Sequence, residues 1–164
     1  MSEVIERFNE TVPYGSQETM NATTFEFLPT QALPNGPTLS VDGRAIINSA
    51  NVVGTGTFQV LGDGAALNFN GAEVGSGITV NLLTDAQMAI DGNGFHALVA
   101  SWGAGAVIEI PGVAAATGAS LIGGVLTVHS GSLTDAAFHV GGGISSLLDL
   151  TFSHTAAGEF ITAK

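Results

Sequence analysis

Residues Gly54 to Gly92 carry one short β-unit written twice, and a chain built on such a repeat has few ways to fold. GTGTFQVLGDGAALNFNG begins at Gly54 and GSGITVNLLTDAQMAIDG at Gly75. At an offset of twenty-one residues Gly54 falls on Gly75, Gly56 on Gly77, Leu67 on Met88, Phe69 on Ile90, Asn70 on Asp91 and Gly71 on Gly92. Matched glycines, matched apolar positions and a matched Asn/Asp-Gly turn mark a structural repeat. In the first copy Phe58, Val60, Leu67 and Phe69 alternate with polar or small residues; in the second, Val80, Leu82, Met88 and Ile90 do the same. Alternation with period two places side chains on one face of a strand, so these eight are expected to share one core. The first runs of the two copies align better with one extra residue of offset, so the copies are not strictly in register.

Around this unit, short apolar runs recur between glycine-rich breaks: Leu39 and Val41, Ala45 to Ile47, then Phe95 to Val99, Ala106 to Ile110, Val125 to Val128, Ala136 to Val140, Leu147 to Phe152 and Phe160 to Thr162. About a dozen strands and no helix-period segment of useful length indicate an all-β domain. A repeat of twenty-one residues fits one coil of a β-solenoid or β-helix-like domain. Strands nine and twelve residues apart also suit a β-sandwich or jelly roll, which stands as the alternative.

Residues 1–36 look different from the repeat-based domain at 37–164. They hold five of the fourteen acids and close on Pro29, Pro34, Asn35 and Gly36, a dense set of turn-formers. Ser2 reads as the cap of a short helix carrying Val4, Ile5 and Phe8. Thr23 to Leu28 alternates as a strand. The segment is expected to be an extended arm, with Phe25, Phe27 and Leu28 as the apolar side chains that need a docking surface. An arm of this kind suits β-augmentation of a neighbouring copy, which would join subunits head to tail.

Charge narrows the partners. Only three Lys and Arg face fourteen Asp and Glu, a formal net charge of −11. Such a surface repels phosphate backbones and anionic membranes, so no nucleic-acid partner is expected. With 45% apolar and 10% charged residues, the 164-residue chain should fold as one domain. It has no cysteine, and therefore neither a disulfide framework nor a thiolate metal site. No apolar run approaches the eighteen or so residues of a membrane span. MSEVIERFNET lacks the basic and apolar regions of a classical signal peptide.

Residues suited to catalysis or ligation are few. His96, His129, His139 and His154 sit beside strand apolar residues, and alternation puts His139 on the face opposite Phe138 and Val140. A His129–His139 pair is the one metal pairing to weigh, and no zincin or His-x-His spacing supports it. No Gly-x-Ser-x-Gly elbow accompanies a triad. Asp63, Asp85 and Asp91 read as turn-formers, and Gly62-Asp63-Gly64 does not match the order of a calcium β-roll. Trp102 is expected to pack at a turn. No cofactor is expected, calcium being the ion that the turn carboxylates bring into question, and the chain reads as no enzyme.

Residues Phe95 to Gly131 resemble a segment that recurs in large secreted proteins of proteobacteria, among them autotransporter-like and type I-secreted adhesins and surface-layer-like proteins. Phe95 opens the segment, Ile108-Glu109-Ile110 supplies its strand, Pro111-Gly112-Val113 its turn and Gly123-Gly124-Val125-Leu126-Thr127-Val128 its end. Gly105-Ala106 stands where the segment usually has Gly-Asp, and Ser101-Trp102 where it has Gly-Phe. The resemblance covers roughly a quarter of the chain. It implies a secreted, non-enzymatic, solenoid-like element at the cell surface or outside the cell. The expected function is a structural subunit of a filament or biofilm matrix that binds copies of itself, with a surface adhesin or glycan-binding module as the alternative.

Overall fold

The computed structural model describes strands at residues 6–8, 17–21, 25–27 and 30–33, and then residues 38–48, 51–62 and 64–164; side chains are described from Thr38 onward, except at 48–50, 63 and 70. Among the described residues five coils follow one another. β1 (Glu6–Phe8) precedes a first coil of β2 (Gln17–Asn21), β3 (Phe25–Phe27) and β4 (Thr30–Leu33). The second is β5 (Thr38–Asp42), β6 (Arg44–Asn48) and β7 (Asn51–Gly54), and the third β8 (Thr57–Val60), β9 (Ala66–Asn70) and β10 (Glu73–Val74). In the fourth, β11 (Thr79–Leu82) and β12 (Gln87–Ala89) are followed by Phe95, which bridges to Val74. The fifth is β13 (Leu98–Trp102) and β14 (Val107–Pro111).

Equivalent strands of successive coils pair in parallel and in register. Leu67 faces Met88 at the twenty-one-residue offset, whereas Phe58 faces Val80 at twenty-two. The extra residue seen between the first runs is therefore a real difference in coil length. Parallel pairing between equivalent strands makes the domain a β-solenoid and rules out the sandwich, whose sheets are antiparallel. All eight side chains expected in one core are 0–2% exposed.

Close stacking explains two of the matched glycines. A Cβ on Gly77 would overlap the carbonyl oxygen of Gly54 in the coil before, and one on Gly92 the carbonyl oxygen of Asp135. β13 departs from simple alternation: a bulge leaves Ala100 unpaired between Val99 and Ser101, which turns Trp102 inward, 4% exposed, with its Nε1–H donating to the Ala106 carbonyl at 3.0 Å. The tryptophan is thus packed at a turn, as expected.

The strands at 6–33 continue the same stacks. β2 pairs in parallel with β5, β3 with β6, β4 with β7, and β1 with β3. The helix expected from Ser2 through Phe8 is corrected at Glu6–Phe8, which is strand; three residues gain more from the ladder to β3 than from one marginal helical turn. Ser2 lies outside the described residues.

Beyond β14 the winding stops. β15 (Gly118–Ile122), β16 (Val125–Ser130) and β17 (Leu133–Gly142) form an antiparallel meander whose last strand pairs in parallel with β13. A 3-10 turn (Leu147–Asp149), where continuous strand was expected, leads into β18 (Leu150–Thr155) and β19 (Gly158–Ala163). β19 pairs antiparallel with β14, and β18 antiparallel with β19. The described residues form three sheets. Sheet A runs β1-β3-β6-β9-β12-β14-β19-β18, sheet B β2-β5-β8-β11-β13-β17-β16-β15, and sheet C β4-β7-β10. The core lies between sheets A, B and C, with Val52 and Val74 contributed by sheet C, and four buried phenylalanines run along it from Phe58 through Phe69 and Phe95 to Phe138, with centroid separations of 5.6, 5.6 and 5.8 Å.

Candidate functional site

Three regions have the means to meet a partner: the two ends of the solenoid and one hollow on its flank. At the N-terminal end the outermost strands are β1 in sheet A and β2 in sheet B. β3, which contains Phe25 and Phe27, is flanked by β1 and β6 of its own chain and is not an edge; Leu28 lies outside the described residues.

The C-terminal end is set by the two antiparallel additions. Each adds a pair of reversals, and two reversals restore direction. β15 therefore runs the same way as the coil strands of sheet B, and β18 the same way as those of sheet A. Among the described residues sheet B gains three strands beyond the fifth coil and sheet A two, while β1 gives sheet A one more at the other end, so the two sheets have eight strands each. Here also lie two of the most exposed large apolar side chains among the described residues, Leu148 at 81% and Ile122 at 76%.

Two carboxylates hold this end together. Glu159 takes the inward position opposite Ile110, where every other coil places an apolar residue, and is 3% exposed. Its Oε2 accepts the Ala116 N–H at 3.2 Å and lies 3.5 Å from His154 Nδ1 on β18. The segment entering β15 is thereby tied to the hairpin of sheet A. Asp149 closes the 3-10 turn: its Oδ2 accepts N–H groups of Ser145 at 2.9 Å and Ser146 at 2.8 Å, while the Ser146 hydroxyl accepts from Leu148 N–H. Those two backbone donors hold its carboxyl below the ordinary value of 3.8. Sequence reasoning missed both acids, because an isolated Glu or Asp in a strand-rich tail gives no spacing signal.

The histidines do not converge. His139 is exposed and opposite Val125, as alternation required, whereas His129 pairs with Thr134 farther along the same ladder and its Nδ1 lies 3.4 Å from Thr134 Oγ1. The Ser130 hydroxyl sits between Asp135 and the Ala114 carbonyl, not against His129. Among the described residues no group of three or more His, Cys, Asp or Glu is placed to hold a metal, and no helix is long and apolar enough to cross a membrane.

The hollow lies on the outer face of sheet A. Register builds it from two adjacent rows: Arg44, Ala66, Gln87 and Val107 in one, Ile46, Asn68, Ala89, Glu109 and Phe160 in the other. The short side chains Ala66 and Ala89 stand diagonally on neighbouring strands and leave a depression between longer neighbours.

These features define an all-β solenoid with an antiparallel C-terminal cap, a scaffold suited to structural or adhesive roles. No protein-family model, curated protein or solved structure matches the chain.

Proposed function

We propose that this chain is a non-enzymatic structural subunit that stacks head to tail into a filament or matrix at the cell surface or outside the cell. One observation carries the reading: both eight-stranded sheets start and end on strands of one direction, so a second copy can add by translation alone. β1 and β2 of one copy then continue β18 and β15 of the next as parallel neighbours, and the N-terminal segment makes the joint. Unpaired strand edges are templates for such addition unless they are blocked, and contacts that repeat without closing generate filaments. The exposed Ile122 and Leu148 supply apolar area at the same end. The extracellular setting rests on the resemblance of Phe95 to Gly131 to segments of secreted surface proteins.

Charge on the two edge strands tests the proposal. Ser120→Lys combined with Ser153→Lys places a cation on β15 and on β18, both on solvent-accessible strands. Electron microscopy at near-physiological salt should show fibres for the parent chain and single folded particles for the double variant. A parent chain that stays monomeric at every concentration, or a double variant with unchanged fibres, overturns the reading.

A further inference from the structure

We infer that the hollow on sheet A binds a neutral oligosaccharide laid across the strands, parallel to the solenoid axis. The lining selects the ligand chemistry. Arg44 stands at one end and Glu109 three strands away, about 14 Å at the usual strand spacing. Between them the amides of Asn68 and Gln87 each offer donors and an acceptor. Glu109 accepts hydroxyl hydrogens and Arg44 donates to hydroxyl or ring oxygens, a match for a chain of sugar hydroxyls. Phe160, directly opposite Glu109 and half-buried, gives an apolar ring face beside the carboxylate. Ala66 and Ala89 provide the depth.

Other ligand classes fit less well. A peptide cannot add as a strand here, because β9, β12 and β14 are each paired on both sides. A polyanion meets one cation and one carboxylate on a chain of formal charge −11. The inference is independent of the filament reading, since the hollow lies on the flank and not at the ends; where copies do stack, it would repeat along the fibre and add avidity.

The test is titration of isotopically labelled protein with cellohexaose, laminarihexaose and maltohexaose, with hexagalacturonate and a ten-residue strand-forming peptide as the competing classes. At least one neutral hexasaccharide should shift the backbone signals of residues 66–68, 87–89 and 107–109 at about millimolar concentration or below. Ala89→Leu, which fills the hollow, and the isosteric Glu109→Gln should each weaken that binding about tenfold or more with unchanged melting temperature. If no neutral hexasaccharide binds, if only the galacturonate or the peptide does, or if either folded variant binds as the parent does, the inference is wrong.

Discussion

Phe95 and Phe138 pack edge to face with ring centroids 5.8 Å apart and planes at 84°, and this contact joins the parallel coils to the antiparallel cap. Phe95 closes the fourth coil, while Phe138 belongs to the meander that ends sheet B. Phe95 also touches Phe69, whose ring packs on Phe58, so one run of aromatic contacts passes through coil and cap alike. Continuous packing of this kind makes the described core one cooperative unit. Phe95→Ala should cost about 3–5 kcal/mol and leave a single urea transition. A two-step transition would show that coils and cap unfold separately.

The matched glycines of the repeat give a second expectation. Gly77 stacks so closely on Gly54 that a methyl group has no room, whereas nothing lies within 4 Å of the equivalent position at Gly118. Gly77→Ala should destabilise by about 1–3 kcal/mol, and Gly118→Ala should stay within about 0.5 kcal/mol of the parent. Comparison of the two denaturation midpoints checks it; equal midpoints would mean that the coils are not packed in this register.

Glu159 is the buried charged residue of the described core. Glu159→Ala removes the acceptor of the Ala116 N–H and should cost about 1–3 kcal/mol, with faster amide exchange in residues 113–122. Glu159→Gln keeps an oxygen in place and should lose less. Exchange unchanged in both variants would remove this carboxylate from the clamp.

Asp149 makes the 3-10 turn acid-sensitive. Its carboxyl titrates below 3.8 in the folded chain, so the stability it adds is present above that value and is lost as pH falls through the lowered one. The Ser145 and Ser146 amide signals should follow this titration, with a midpoint below 3.8. A midpoint at or above the ordinary carboxylate value would contradict the hydrogen bonding described.

The coil was legible in the sequence because it repeats: Leu67 and Met88 carry matched positions that parallel register then brings face to face. Of the cap, the runs Val125 to Val128, Ala136 to Val140 and Phe160 to Thr162 were legible and fall on β16, β17 and β19, but their antiparallel pairing was not, since each strand occurs once. Gly123-Gly124 was visible as a pair, and both residues adopt positive φ, 60° and 77°, in the two-residue hairpin joining Ile122 to Val125. Read as the end of a repeat segment, the pair concealed β15, whose sequence GASLI has weak alternation and lies at an edge. The hollow on sheet A was equally hidden. It depends on which outward residues become neighbours across strands, and Ala66 lies twenty-three residues from Ala89.

Head-to-tail stacking has a direct metric signature. Eight strands in each of sheets A and B at the usual spacing give a subunit rise of about 38 Å, with a ~4.8 Å strand repeat along the same axis. Helical reconstruction of fibres by electron cryomicroscopy should return that rise, with β18 and β15 of each copy beside β1 and β2 of the next. A fibre with a different rise, or one whose contacts run through the flanks of the sheets, would contradict the account.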